Sequence, residues 1–195
     1  MKQKIAVMGG TFDPIHMGHL MVAEIIRADA GMDRVLFIPA GEPPHKQGYQ
    51  VLSGEERYRM TELAIQNNPY FEASRMEIDR PGRTYTYETL QMLEDQNDGS
   101  KEYYYILGAD AFAYVPHWRE VQKVIRRARF LVVRRPGHEI VVPSEIEGIR
   151  YQVVEAALMD ISSTQIRGRI HEGKSIRYMV PENVRQYIEE NGFYR

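Results

Sequence analysis

The chain has 195 residues, a formal net charge of −2, 43% hydrophobic residues and 27% charged residues, values that suit a globular protein long enough for one core and short for two. So even a charge balance gives no whole-molecule attraction to nucleic acid or an anionic membrane, so any phosphate affinity must be local. Cysteine is absent, which excludes disulfides, thiolate metal sites and a cysteine nucleophile. With no apolar stretch long enough for a signal peptide or membrane span, the reading is a cytoplasmic protein.

Residues 5–8 are an apolar run closed by Gly9 and Gly10, which suits a buried strand. Leu20, Val22, Ala23, Ile25 and Ile26 then recur at helical spacing, and Gly31 can close a helix over residues 18–30. Residues 34–39 (RVLFIP) read as a second strand, and residues 40–52, rich in Gly, Pro, His and Lys, as an exposed functional loop. Ser53 with Glu56 forms a capping box, predicting a helix to about Gln66. Residues 71–78 are expected to form a strand, 80–83 a turn, and 86–96 a helix stopped before Asn97-Asp98-Gly99. Strands follow at 103–107, 129–133 and 151–154, then two helices beginning near Ser162-Ser163 and Pro181, the second stopped by Gly192. Alternating strands and helices predict one α/β domain over residues 1–195, a doubly wound parallel sheet with helices on both faces.

In such sheets ligands bind at the carboxyl ends of strands, beside helix N-termini. The segment GGTFDPIHMGH, residues 9–19, stands at that place between the first strand and the first helix. Gly9, Gly10 and Gly18 let backbone approach a phosphate, and helix-start N–H groups favour anions. His16 and His19, three residues apart, can face one pocket and donate to a phosphate whose charge grows in a reaction. Zinc held by His16, His19 and His45 is an alternative, but no carboxylate is placed as an obvious further ligand. Neither the dinucleotide fingerprint nor the lysine-ended phosphate loop is present. A second cluster, Ile161-Ser162-Ser163-Thr164-Gln165-Ile166-Arg167, opens a predicted helix, where Ser162 or Ser163 can cap and Arg167 adds a cation to the free N–H groups.

Thr11-Phe12-Asp13-Pro14-Ile15-His16-Met17-Gly18-His19 resembles the signature of the T/HxGH nucleotidyltransferase superfamily, and the ISSTxIR pattern at residues 161–167 resembles its carboxyl-terminal motif. The resemblance implies a Rossmann-like nucleotidyltransferase fold, with adenylyl transfer from ATP to an acceptor phosphate. It places Gly9, Gly10, Thr11, Phe12, His16, Gly18 and His19 around ATP, and Ile161, Ser162, Ser163, Thr164 and Arg167 at its β and γ phosphates.

Features between the two motifs resemble the nicotinate-nucleotide adenylyltransferase branch. Pro43-Pro44-His45-Lys46 is similar to its acceptor-side loop, Arg83-Thr84-Tyr85-Thr86 to its substrate loop, and Gly108-Ala109-Asp110 to its mid-sheet nucleotide contact. His117-Trp118 matches a site where an aromatic ring stacks on the pyridine, and Arg134-Arg135-Pro136-Gly137 a turn at a strand's end. The family pattern more often has an aspartate where Glu88 stands. The implied reaction joins nicotinate mononucleotide to ATP, giving deamido-NAD and pyrophosphate. His16, His19, Lys46 and Arg167 would handle charge, and His45, Lys46, Thr84, Tyr85, Thr86, Trp118 and Arg134 would bind the acceptor. Mg2+ is expected mainly on the ATP phosphates, with Asp13 or Asp110 as possible orienting groups. The rivals are another superfamily transferase, such as pantetheine-phosphate adenylyltransferase, and a non-catalytic nucleotide sensor. A homodimer is expected because twofold dimers are the commonest oligomers.

Overall fold

The structure is a computed structural model that describes residues 1–42, 51–134, 139–157 and 159–195. Its strands are β1 (Gln3–Gly10), β2 (Arg34–Pro39), β3 (Phe71–Ala73), β4 (Lys101–Gly108), β5 (Phe130–Arg134) and β6 (Tyr151–Glu155). Its helices are α1 (Met17–Asp29), α2 (Gly54–Ile65), α3 (Thr86–Asp95), α4 (Ala109–Ala113), α5 (Val121–Arg127), α6 (Ser163–His171) and α7 (Glu182–Asn191). The strands form one sheet in the order β3-β2-β1-β4-β5-β6, and every pairing is parallel. The doubly wound α/β prediction is met.

Alternation along each strand divides the core into two layers. Ala6, Met8, Ile106 and Leu131 face one layer with α1, α2, α6 and α7, through residues such as Ile26, Met60, Ile166 and Ile188. Val7, Leu107, Phe130 and Val132 face the other, with Leu90 and Leu93 of α3, Phe112 of α4 and Val124 of α5. Each of these side chains larger than alanine, removed from water, contributes roughly 1.5–3 kcal/mol.

The caps follow the sequence closely. The Ser53 hydroxyl accepts from the Glu56 amide while the Glu56 carboxylate accepts from the Ser53 amide. Gly31 and Gly192 take φ of 66° and 65° just beyond α1 and α7, a conformation glycine adopts without strain.

Two expectations are corrected. The strand expected over 71–78 stops at Ala73, because β3 is an edge strand paired only with Val35–Phe37 of β2. Beyond it the Arg75 carbonyl accepts from the amides of Ile78 and Asp79, so the chain turns and carries Glu77 inward. A helix not foreseen, α5, lies between β4 and β5, its apolar stripe only Val121, Val124 and Ile125.

The chain builds β1, β2 and β3 toward one edge, then returns to add β4, β5 and β6 on the other side of β1. The order therefore reverses between β1 and β4, and ligands bind outside the carboxyl ends of strands at such a reversal.

Candidate active site

At that reversal lies a cleft of about 480 Å³. One wall is the turn leaving β1, with Gly9, Gly10 and Thr11, and the other is formed by Thr84, Tyr85, Thr86, Tyr114 and Trp118. A Cβ on Gly9 would stand 2.4 Å from the Tyr105 hydroxyl, and one on Gly10 2.8 Å from the Phe12 ring. Glycine at both positions keeps this wall thin.

His16 caps α1 from extended backbone. The His16 and His19 rings stack with centroids 3.7 Å apart, and the His16 amide donates to His19 Nδ1 at 3.2 Å. That bond leaves Nε2 of neutral His19 as the N–H donor. Burial lowers the His16 pKa to about 4, and burial, then the charge of His16, lowers that of His19 to about 3. Both rings are therefore neutral at pH 7. A Cβ on Gly18 would lie 3.1 Å from His16 Nδ1, so this glycine makes room for the first ring. Phe12, at φ 49°, sets its edge against His19 with centroids 5.0 Å apart.

The carboxyl-terminal motif meets this turn. Ser162 caps α6, its hydroxyl accepting from the Gln165 amide at 3.1 Å, and Ser163 Oγ donates to the Pro14 carbonyl at 2.9 Å. Arg167 donates to the Asp13 carbonyl at 2.8 Å and to Thr164 Oγ1 at 3.2 Å. The two motifs, distant in sequence, thus form one surface, with Ile161 beside Gly18.

Arg57 organises the same region from beneath. It is 1% exposed and donates to the carbonyls of Leu52, Thr11, Ala40 and Gly41 at 2.6–2.9 Å. One guanidinium thereby joins the turn after β1, the turn after β2 and the entry to α2.

Across the cleft, Trp118 sets its ring edgewise to Tyr105 and Phe130, with centroids 6.4 Å away in each case. Arg119 lies over the Tyr85 ring at 4.7 Å. Glu77 is buried in this wall and accepts from the Thr89 hydroxyl. Burial raises its pKa to about 7, against the opposing effects of Thr89, Arg80, Thr84 and Arg57.

The cytidylyltransferase-like family matches residues 7–169. The chain is 48% identical to the "probable nicotinate-nucleotide adenylyltransferase" of Roseiflexus sp. strain RS-1, over 98% of both chains. This chain belongs to the cytidylyltransferase-like family, among its nicotinate-nucleotide adenylyltransferases. It is 44% identical to the protein of that name from Desulfitobacterium hafniense strain DSM 10664 / DCB-2, over 99% of this chain and 96% of the relative. Among solved structures, Plasmodium falciparum nicotinic acid mononucleotide adenylyltransferase complexed with NaAD shares the fold, with a TM-score of 0.78 at 19% identity over 98% of this chain and 97% of that one.

In this adenylyltransferase not every expected site residue reaches the cleft: Phe12, His16, Gly18, His19, Ile161, Ser162, Ser163, Thr164 and Arg167 gather beside its glycine turn but are not among its lining residues. Gly108 and Asp110 stand at the exposed start of α4, at the carboxyl end of β4. Arg134 is not among the cleft's lining residues; it pairs with Glu155 of β6, because adjacent parallel strands put these opposite charges side by side. Asp13 is fully buried beneath the turn, where its carboxylate accepts from Tyr194, so it does not face the cleft as an orienting group for a metal. Glu88, at the departure from the family pattern, accepts two hydrogen bonds from Arg80 at 2.9–3.0 Å. His45, Lys46 and the Pro136-Gly137 turn lie outside the described residues. Among the described residues no trio of His, Asp and Glu side chains is grouped to hold a metal ion, and no helix is long and apolar enough to cross a membrane.

The sequence reading missed Tyr105, Glu77, Tyr114 and Arg119 at the cleft, and Arg57 beneath it. Strand alternation marks Tyr105 as facing away from Tyr104 but does not say which face meets a cleft. Arg57, one turn into a capped helix, carries no sequence signal of burial.

Proposed function

We propose that the chain transfers the adenylyl group of ATP to nicotinate mononucleotide, releasing pyrophosphate and forming deamido-NAD, and that residues 1–195 act as one nucleotidyltransferase domain. The observation that carries this reading is the cleft between the Gly9–Thr11 turn and the aromatic wall of Trp118 and Tyr85. Its two walls differ as the two substrates do: the glycine turn on one side, flat rings for a pyridine on the other; His16, His19 and Arg167 adjoin that turn without lining the cleft and would meet the phosphates beyond it. The name carried by the relatives in Roseiflexus and Desulfitobacterium supports the same assignment.

The acceptor phosphate is already ionised at neutral pH, so its oxygen attacks the α-phosphorus of ATP without a strong base. A P–O bond forms to the acceptor as the bond between the α-phosphorus and its bridging oxygen breaks. The chain's work is alignment and the stabilisation of charge on the leaving pyrophosphate. His19 donates through Nε2, His16 adds a second imidazole, and Arg167 with the N-terminus of α6 meets the β and γ phosphates. Lys46 serves the acceptor side. Trp118 takes one face of the pyridine, and backbone at Thr84–Thr86 lines its edge. A divalent cation, Mg2+ in this proposal, arrives as the counter-ion of ATP, held by phosphate oxygens and water rather than a protein cage. We propose a cytoplasmic enzyme and a twofold homodimer, the latter open to sedimentation measurement.

Pyrophosphate release on mixing ATP with nicotinate mononucleotide, nicotinamide mononucleotide or phosphopantetheine in parallel tests the assignment. Fastest turnover with the acid mononucleotide is expected. Preference for phosphopantetheine would move the chain to another branch, and ATP binding without release from any acceptor would make it a sensor.

A further inference from the structure

Four contacts from the last third of the chain hold the segment from Asp13 to Met17, three at its backbone and one at the Asp13 side chain. Three are the Arg167 bond to the Asp13 carbonyl, the Ser163 bond to the Pro14 carbonyl, and a bond from the Met17 amide to the Met179 carbonyl at 2.9 Å. The fourth comes from the penultimate residue, whose Tyr194 hydroxyl donates to Asp13 Oδ1 at 2.6 Å across 181 residues of sequence. Asp13 is 0% exposed, and its Oδ2 is buried with no hydrogen-bond partner among the described residues. A buried carboxylate with so few donors depends strongly on each one.

Tyr194 itself takes φ 65°, a left-handed conformation that bulky residues adopt only where their surroundings require it. Its ring lies against Phe193, with centroids 6.2 Å apart. Burial and the adjacent Asp13 raise its pKa, so the phenol stays protonated as a donor through the neutral range. From Asp13 the connection to the imidazoles is short: Phe12, the preceding residue, sets its ring edgewise on His19.

We infer that Tyr194 is a positioning residue for the nucleotide's phosphates, fixing Asp13 and through it the turn that aims His16 and His19. The inference rests on reading residues 9–19 as the phosphate site. The chain's last turn is then part of the active-site framework, although it meets no substrate.

Tyr194→Phe in the full chain keeps the ring and removes the hydroxyl. The measurements are Kd for ATP by calorimetry, kcat and KM from pyrophosphate release, and a thermal melt to set the folded fraction. Per folded molecule, kcat is expected to fall about tenfold, with KM for nicotinate mononucleotide unchanged and ATP binding weakened. A second arm combines Tyr194→Phe with Asp13→Asn; the double variant is expected to lose no more than the worse single one. Wild-type kcat and ATP binding in Tyr194→Phe, or losses that multiply in the double variant, would overturn the inference. If the wild-type chain binds ATP but forms no pyrophosphate with any acceptor, the functional reading fails. Tyr194 is then judged on ATP binding alone, where an unchanged Kd overturns its role.

Discussion

His16 and His19 stack with their planes 26° apart, and the backbone of the first supplies the hydrogen bond that fixes the tautomer of the second. The pair is therefore aimed before any ligand arrives. Substitution of either ring should remove transition-state stabilisation rather than folding. His19→Ala is expected to lower kcat by about two to three orders of magnitude, as loss of a preorganised donor does, with an unchanged circular dichroism spectrum. Near-normal turnover would remove His19 from the charge-handling groups.

Gly18→Ala tests the same geometry more gently. The added Cβ would press on the His16 ring at 3.1 Å, and the ring can yield only by disturbing its stack with His19. We expect a folded protein with turnover reduced about tenfold, measured by pyrophosphate release.

The buried titratable groups should act on stability with opposite signs over the range below neutrality. The histidines, with folded values of about 4 and 3 against 6.5 unfolded, bind protons more readily in the unfolded chain. Their contribution is fully present above pH 6.5 and is lost as the pH falls toward those values. Glu77 is opposite in sign: raised from 4.5 to about 7, it favours the folded state below pH 4.5, and that contribution is lost as the pH rises through 7. Urea denaturation from pH 4 to 8 should therefore show Glu77→Gln gaining on wild type above pH 6 and not at pH 4. A constant difference across the range would contradict the assignment.

Trp118→Ala should separate the two substrates. KM for nicotinate mononucleotide is expected to rise about tenfold, the scale of a lost base–aromatic stack, with Kd for ATP unchanged. The reverse pattern would place the pyridine elsewhere.

Much of this site is legible in the sequence because its signals are local. Ser53 with Glu56, Ser162 before Gln165, and Gly9-Gly10 each act within a few residues, so cap and turn chemistry reveals them. The extra length given to β3 shows where local pattern fails: alternation holds over 71–74 and slips in phase at Ser74-Arg75, only β2 is present to pair with, and the pairing ends at Ala73. Arg57 and Tyr194 were illegible for a related reason. Their partners, Thr11 and Asp13, lie 46 and 181 residues away, and nothing beside either residue marks it as a long-range donor. The pairing of Arg134 with Glu155 is hidden for the same reason, because strand register and not the adjacent sequence sets it.

Arg57→Ala would leave the carbonyls of Leu52, Thr11, Ala40 and Gly41 without this donor. A loss on the order of 3 kcal/mol or more is expected, which for a chain of this size is a fall of about 10 °C in Tm. Arg57→Lys keeps the charge but not the planar fork and should fall between the two. A melt within a degree of wild type for Arg57→Ala would show that the carbonyls find other donors.

The buried guanidinium has a chemical consequence for a protein without cysteine. Where cysteine-bearing proteins can stitch distant loops with sulfur, this chain uses a guanidinium, which has no redox chemistry. Neither reductant nor oxidant can undo that joint. The spacing between the nucleotide turn and the loop facing it is thus insulated from the redox state of the surroundings, a useful property in an enzyme whose pathway ends in a redox carrier.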